Sequence, residues 1–281
     1  MLLLLACSPV QVTATPDTAD TGTQPAPGDT DSSVHDTDDT DPPADTSAPA
    51  DTAPPDDTAV GQDCTEGGGD GTGFLAADGL SALLIAPEGL ECAPLVIFGH
   101  GADKPGSWLD DEWSDPLGTG LQRLANERSF ALLVPGVEEG QSEHGWYLDN
   151  CSAFGSLVGL VGDEASIDKN RVYLAGQSAG GFVTAYSTLY CPELFAHTAV
   201  VSAGTGGYFD YPAVDPDPKV PVYVVHDPDD QIVPYSQGES YAALLELNGH
   251  EVVFEDWELG NGGHSWTEEL TPAVLGQFGI P

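Results

Sequence analysis

A tight turn between a buried strand and a helix is the feature that most constrains this chain. The apolar run at 172–175 predicts a strand, and Gly-Gln-Ser-Ala-Gly at 176–180 follows it directly. Gly-x-Ser-x-Gly in this setting predicts a sharp turn with a strained serine backbone, because the small residues to either side relieve the crowding. Such a turn lifts the hydroxyl of Ser178 clear of the sheet. We therefore interpret Ser178 as a candidate nucleophile.

A serine of this kind needs an acid and then a histidine further along the chain. The strand-like run at 221–226 is followed by a loop with three candidate acids, Asp227, Asp229 and Asp230. We favour Asp230, because it lies four residues after His226 and just before Gln-Ile-Val-Pro. The alternative interpretation of this loop is an acidic, solvated turn.

The candidate base is His264. It follows a predicted strand at 251–256 and the glycine-rich segment 260–263, which can bend the histidine over the turn. Trp266 can anchor the helix that follows, and the alternative is an ordinary loop histidine. The other histidines lie in low-complexity sequence, beside or at strand ends, or in an irregular loop: His35, His100, His144, His197, His226 and His250.

Acyl transfer at a serine also needs two backbone N–H groups for the developing oxyanion. The residue after the serine, Ala179, supplies the first candidate. A second should come from the loop after an earlier strand, and 94–98 is such a strand, followed by Gly-His-Gly-Ala. We assign the second donor to Ala102, with Gly101 as the alternative.

Four segments of the chain resemble one family. They are Phe-Gly-His-Gly-Ala at 98–102, the stretch 167–181 around the serine, His-Asp-Pro-Asp-Asp-Gln-Ile-Val-Pro at 226–234, and Gly-Gly-His-Ser-Trp at 262–266. Together they look like the secreted polyhydroxybutyrate depolymerase and feruloyl esterase group of α/β-hydrolases. The resemblance covers roughly residues 75 to 280 and matches the motif positions.

The resemblance implies a serine esterase that uses no metal and no cofactor. By motif position it carries over Ser178 as nucleophile, Asp230 as acid and His264 as base, with Ala102 and Ala179 as the oxyanion hole. This chain departs from the family pattern in two places. The first His-Gly continues as Ala-Asp-Lys-Pro, and the usual His-Gly before the acid loop is His-Asp at 226–227.

The order of predicted elements indicates an α/β fold with a mostly parallel sheet and helices on both faces. Continuous apolar runs, such as Val-Tyr-Val-Val at 222–225, are typical of strands buried on both faces. The predicted strands are 81–86, 94–98, 130–134, 171–175, 198–203, 221–225 and 251–256. The predicted helices are 117–128, 155–166, 179–190, 236–248 and 266–278.

The N-terminal region differs in character from the rest. Residues 1–7 are apolar and end in Leu-Leu-Ala-Cys, which resembles the lipobox of bacterial lipoproteins and predicts lipidation of Cys7. Residues 8–62 are mainly Asp, Thr, Pro, Ala and Ser, with almost nothing to bury, so we expect a disordered linker. As a coil this linker would span roughly 40 Å. The catalytic domain then runs over 63–281.

The charge of the chain disfavours several partners. The formal net charge is −40; residues 8–62 hold twelve aspartates and no lysine or arginine, which leaves −28 on the rest. Such a field repels nucleic acid and anionic polymers. We therefore expect neutral esters, including polymeric ones, as substrates, and a monomer held at the outer face of a membrane by the lipid anchor.

Four cysteines remain if Cys7 is lipidated, and an even number in an exported domain suggests two disulfides. Three pairings are possible. We favour Cys64 with Cys92 and Cys151 with Cys191, with free buried thiols as the alternative. No CxxC or HxxxH spacing indicates zinc.

The leading interpretation is an exported serine esterase acting through an acyl-enzyme. A peptidase or lipase of the same fold is the first alternative, since it would use the same three residues with another pocket. An inactive hydrolase fold used for surface binding is the second. Candidate cleft aromatics are Trp108, Trp113, Trp146, Tyr147 and Tyr208.

Overall fold

The computed structural model describes residues 61–69, 71–102, 119–136, 151–205 and 215–281. Cys7, nearly all of the 8–62 segment, two histidines and the five candidate cleft aromatics fall outside these ranges. The two histidines are His35 and His144, and the aromatics are Trp108, Trp113, Trp146, Tyr147 and Tyr208. The predictions made for these residues therefore stay predictions.

Eight strands among the described residues form one sheet in the order β1-β2-β4-β3-β5-β6-β7-β8. They are β1 (Gly73–Ala77), β2 (Leu80–Ile85), β3 (Ala93–Gly99), β4 (Ala131–Gly136), β5 (Ile167–Gln177), β6 (His197–Val201), β7 (Val222–His226) and β8 (Val252–Asp256). β2 runs antiparallel to both β1 and β4, and every other neighbouring pair is parallel. The predicted mostly parallel sheet is confirmed.

The described residues also form five α-helices: α1 (Leu121–Arg128), α2 (Cys151–Glu164), α3 (Ala179–Tyr190), α4 (Ser236–Leu247) and α5 (Leu270–Gln277). Short 3-10 turns occur at Pro192–Leu194 and Asn261–Gly263. The longest described helix, α2, has 14 residues, and no described helix has both the length and the apolarity of a membrane span.

The helices cover both faces of the sheet. Helices α1 and α5 pack on one face, and α2, α3 and α4 pack on the other. Strand β3 shows why its sequence is continuously apolar: Val96 and Phe98 point to the first face, and Leu95 and Ile97 to the second. Successive side chains of a strand alternate between faces, so a strand in the middle of such a sheet has no face for water.

Strand β1 is absent from the sequence-based prediction. Its side chains are alternately half-buried and exposed, so the segment lacks the continuous apolar run of the inner strands. The signal that identifies it is the Asp78-Gly79 pair between β1 and β2, where both residues have positive φ, 51° and 80°. Asp-Gly in a two-residue loop is typical of a tight β-hairpin.

The chain crosses from one side of β3 to the other in mid-sheet. From β3 it passes to β4 on one side, and then returns through α2 to β5 on the other side. In open α/β sheets, the crevice at the carboxyl ends of the strands where the order reverses is the usual place for a ligand. The carboxyl ends of β3 and β5 carry the segments 99–102 and 176–180.

Both favoured disulfides are present. Cys64 is bonded to Cys92, with Cα atoms 5.0 Å apart, and Cys151 is bonded to Cys191, with Cα atoms 5.8 Å apart. The bridges span 28 and 40 residues of sequence. By restricting the unfolded chain, each can contribute about 3–4 kcal/mol.

The carboxylate of Asp168 holds the first described segment against the sheet. It accepts hydrogen bonds from the backbone of Asp63 at 3.2 Å and of Asn170 at 3.0 Å, and from Nε of Arg171 at 3.0 Å. Burial acts to raise the pKa of Asp168, but these hydrogen bonds outweigh it and hold the pKa below its usual value. The carboxylate therefore stays ionised while it bridges the two segments.

His197 is the first residue of β6, at the amino ends of the parallel strands, whereas the serine turn lies at their carboxyl ends. Its ring packs edge-on against Phe278, with centroids 5.4 Å apart and planes at 62°. Burial lowers the pKa of His197 to about 4, and a hydrogen bond to the backbone of Gln277 opposes this only in part. Because the folded protein favours the neutral ring, His197 contributes stability above about pH 6.5, and that contribution is lost as the pH falls toward 4.

We therefore expect the wild type to lose more stability in acid than His197→Gln. Urea unfolding of both proteins at pH 7 and pH 4, in the same salt, measures this. The stability advantage of the wild type over the variant should shrink by about 3 kcal/mol between the two pH values. Groups common to both proteins, including the acidic surface, cancel in this difference, so an advantage that does not change with pH would contradict the assignment.

Candidate active site

The predicted turn at 176–180 has the strained geometry expected of it. Ser178 lies between β5 and α3 with φ 54° and ψ −118°, a conformation that L-residues rarely adopt and that costs about 1–3 kcal/mol. Its backbone N–H donates to the carbonyl of Val201 at 3.0 Å, which ties the turn to the end of β6. The strain is therefore held by the surrounding sheet.

Close backbone packing requires the glycines of this turn. A Cβ on Gly180 would collide with the backbone of Gly99, and a Cβ on Gly176 would collide with the backbone of Gly180. The N–H of Gly180 donates to the carbonyl of His100 at 3.0 Å. The start of α3 is thereby bonded to the loop that follows β3.

The three predicted residues of the triad meet in one hydrogen-bonded chain. Oγ of Ser178 lies 2.8 Å from Nε2 of His264, and Nδ1 of His264 lies 2.8 Å from Oδ2 of Asp230. The side chain of Asp230 is fully buried, whereas that of His264 is 12% exposed. The carboxylate accepts through Oδ2, so the ring proton lies on Nδ1 and Nε2 is free to accept from the serine hydroxyl.

The acid loop holds the Asp230 carboxylate through its own backbone. Oδ1 accepts hydrogen bonds from the N–H groups of Ile232 at 2.8 Å and Val233 at 2.9 Å. These two backbone donors fix the orientation of the carboxylate. Oδ2 is thereby left to face the histidine.

The glycines before His264 let its loop lie against the acid. Gly262 and Gly263 have φ of 75° and 79°, and a Cβ on Gly263 would come within 2.6 Å of the backbone nitrogen of Asp230. The carbonyl of Gly262 accepts from the N–H of Gln231 at 3.1 Å. The histidine loop and the acid loop are therefore in direct backbone contact.

Asp227, one of the three candidate acids in the sequence, makes other contacts in the structure. Its carboxylate is buried and accepts from the backbone of Asp229 at 2.8 Å and of Leu259 at 2.7 Å. Since Leu259 follows β8, Asp227 bonds the acid loop to the start of the histidine loop. Sequence reasoning missed this bridge; the unusual Asp after His226 was the only signal for it.

The proposed oxyanion donors belong to two segments, the serine turn and the loop after β3. Ala179 is the first residue of α3, where the helix dipole favours negative charge. A Cβ on Gly101 would lie 3.5 Å from Cβ of Ser178, so the loop after β3 passes directly beside the serine. Ala102 follows Gly101, and the described residues resume at Thr119.

Tyr235 stands beside the acid loop, next to His226. Its ring packs edge-on against His226, with centroids 5.8 Å apart. The hydrogen bond from its hydroxyl to Asp256 raises the pKa of Tyr235 to about 12. Within the described ranges, no group of three or more His, Cys, Asp or Glu side chains comes together as metal ligands would.

Part of the chain is similar in sequence to known depolymerases and esterases. Residues 80–210 match the family model described as Esterase PHB depolymerase. A poly(3-hydroxyalkanoate) depolymerase C of Paucimonas lemoignei is 26% identical over 130 residues, 42% of this chain and 30% of that protein. A bifunctional acetylxylan esterase/xylanase of Neocallimastix patriciarum is 24% identical over 152 residues, 53% of this chain and 21% of that protein. The chain thus matches less than a third of either relative.

Solved structures share the fold. A thermostable esterase superposes with a TM-score of 0.54 at 20% identity, covering 74% of this chain and 62% of its own. The acetyl xylan esterase of Aspergillus awamori gives a TM-score of 0.54 at 13% identity, covering 75% of this chain and 99% of its own.

The family match includes Ser178 but ends before Asp230 and His264. The described residues therefore adopt the α/β-hydrolase fold, and residues 80–210 are similar to the Esterase PHB depolymerase family.

Proposed function

We propose that this protein is an exported serine esterase that cleaves carboxylic esters through Ser178, His264 and Asp230. The observation that carries the proposal is the continuous hydrogen-bonded chain from the serine hydroxyl to the buried carboxylate, with 2.8 Å at each step. The family match at 80–210 and the esterase relatives support the same reaction class.

The reaction begins at the serine. Ser178 Oγ attacks the ester carbonyl carbon while Nε2 of His264 takes its proton, and Asp230 stabilises the imidazolium through Nδ1–H. The N–H groups of Ala179 and Ala102 donate to the oxyanion, and each such donor is worth about 10²–10³ in kcat.

The alcohol then leaves with the proton from His264, and an acyl-enzyme on Ser178 remains. Water, deprotonated by His264, attacks the acyl carbon. The second tetrahedral intermediate collapses to the carboxylic acid and regenerates the serine. No step needs a metal or a cofactor.

The proposed substrates are neutral esters of polyhydroxyalkanoate or feruloyl type. A polyhydroxyalkanoate is the substrate class in the name of one relative, and an acylated polysaccharide is that of the other. The charge of −28 outside the 8–62 segment supports neutral over anionic esters, because it repels anions from the surface.

We place the domain outside the cytoplasm, held to the membrane through lipid on Cys7. The two disulfides support an oxidising compartment. The Leu-Leu-Ala-Cys sequence at 4–7 supports lipidation, and residues 8–62 are long enough to serve as a tether.

Ser178→Ala should keep the fold and lose at least about a thousandfold in kcat on a p-nitrophenyl ester. The reason is that the proposed acyl-enzyme forms on the hydroxyl that this substitution removes. Thermal unfolding of both proteins checks that the fold is unchanged, and labelling by a fluorophosphonate should occur in the wild type only. Turnover by the variant close to the wild-type rate would refute the proposed nucleophile.

Asp230→Asn should lower kcat far more than Asp229→Asn, which serves as the matched control one residue away. A neutral amide cannot stabilise the imidazolium and can hold the wrong tautomer of His264. Asp227→Asn should fall between them, since it weakens a bridge between loops and leaves the acid in place. Steady-state kinetics of the three variants on one ester measures the order of the losses. A larger loss of kcat in Asp229→Asn than in Asp230→Asn would show that Asp230 is not the acid.

Cys7→Ser should release the protein from the membrane fraction, because the thiol is the proposed site of the lipid. Fractionation of cells that express the full chain, with an antibody against the catalytic domain, measures this. Conversion of Ser8 to Ala is the neighbouring control and should leave the protein in the membrane fraction. Equal partition of wild type and Cys7→Ser would argue against the anchor.

A further inference from the structure

A fully buried histidine is in contact with the candidate acid. His226 is the last residue of β7, and none of its side chain is exposed. Its Nε2 is 3.0 Å from the carbonyl oxygen of Val233 and 3.3 Å from Oδ2 of Asp230. Oδ2 is the same carboxylate oxygen that faces His264. His226 and the candidate base therefore contact the same oxygen of the acid.

The neighbours of this ring decide its tautomer. Both atoms that face Nε2 are acceptors, so Nε2 carries the proton and donates to the carbonyl of Val233. Nδ1 is buried with no hydrogen-bond partner among the described residues. It faces α4, where a Cβ on Gly238 would come within 2.6 Å of it. A proton on Nδ1 would have no acceptor there, so the neutral Nε2–H form fits the site.

His226 also acts on the acid through the loop. The same Val233 whose carbonyl accepts from His226 donates its N–H to Oδ1 of Asp230 at 2.9 Å. His226 thus bonds to the same residue that donates to Oδ1, while its own Nε2 lies 3.3 Å from Oδ2. The ring is therefore in contact with Oδ2 directly and is linked to Oδ1 through Val233.

We propose that His226 is a positioning residue for the reaction: it orients the Asp230 carboxylate toward His264 and partly offsets its negative charge. The inference rests on the proposed function of the triad. Loss of the N–H of His226 would let the acid loop shift. The carboxylate of Asp230 would then attract a protonated His264 more strongly. A displacement of about 1 Å at such a group can cost about 10²-fold in rate.

A second consequence is a change in pH dependence. If the carboxylate attracts the imidazolium more strongly, His264 stays protonated to higher pH, and the acid limb of the kcat/KM profile moves upward. The titratable and charged groups around His226 and Asp230 lie in five places: the acid loop, the histidine loop, the serine turn, the segment before α4 and the end of β8. They are Asp227, Asp230, His264, Ser178, Tyr235 and Asp256.

The chain offers a matched control in His250. This residue is also a buried histidine, its Nδ1 lies 2.8 Å from the carbonyl of Val220, and its Nε2 has no hydrogen-bond partner among the described residues. His250 and Val220 precede β8 and β7, so they lie at the amino ends of these parallel strands, whereas the candidate site lies at the carboxyl ends. Replacing it removes the same kind of hydrogen bond far from the acid.

The experiment compares His226→Leu, His226→Gln and His250→Leu with the wild type, by kcat and kcat/KM from pH 5 to 9 on a neutral p-nitrophenyl ester. We expect His226→Leu to lose about 10- to 100-fold in kcat with little change in KM and to shift the acid limb to higher pH. The amide of His226→Gln can still donate to Val233 and should restore the limb and most of the rate. His250→Leu should lower only the melting temperature.

Three results would overturn the proposal: an unmoved acid limb in His226→Leu, equal rate losses in the two leucine variants, or no rescue by glutamine. If His226→Leu does not fold, His226→Asn replaces it, because its shorter amide cannot reach the position of Nε2. Ser178→Ala in the same assay separates the two levels of inference. Activity in Ser178→Ala would reject the proposed function itself, whereas an inactive Ser178→Ala beside an unaffected His226→Leu would reject only the role of His226.

Discussion

The backbone of Gly180 lies against the backbone of Gly99 so closely that no side chain fits between them, and the candidate site depends on this contact. It joins the start of α3 to the end of β3, at the point where the strand order reverses. The loop after β3 is thereby held beside Ser178, which is where an oxyanion donor is needed. The same packing maintains the strained φ of Ser178, because the strand and the helix on either side of the turn restrain its backbone.

The second constraint is the contact between the acid and histidine loops. They follow β7 and β8, which are neighbours, but strand pairing alone would leave their side chains free to point elsewhere. Gly263 packs on the backbone of Asp230, and the Asp227 carboxylate accepts from Leu259. These contacts fix one loop relative to the other, so the distance from His264 to Asp230 is set by backbone rather than by flexible side chains.

Buried carboxylates in this chain are held by backbone N–H groups. The sequence has 46 acidic residues and only six lysines and arginines, so cations are scarce. Asp230 and Asp227 each accept two backbone N–H bonds, and Asp168 accepts two such bonds besides its contact with Arg171. Peptide donors satisfy an ionised carboxylate without a counter-charge, which lets so acidic a protein bury functional carboxylates.

Local signals in the sequence determined the strand-turn-helix around Ser178, the inner strands and the order of serine, acid and histidine, because each depends on neighbouring residues or on periodicity. They left Asp227, Asp229 and Asp230 as competing acids, since all three lie within reach of the same loop. Only the tertiary structure turned one carboxylate to His264 and another to Leu259. It also decided the contact between His226 and the acid, because that contact requires β7, the acid loop and α4 to pack together. No pattern along the chain records packing between distant segments.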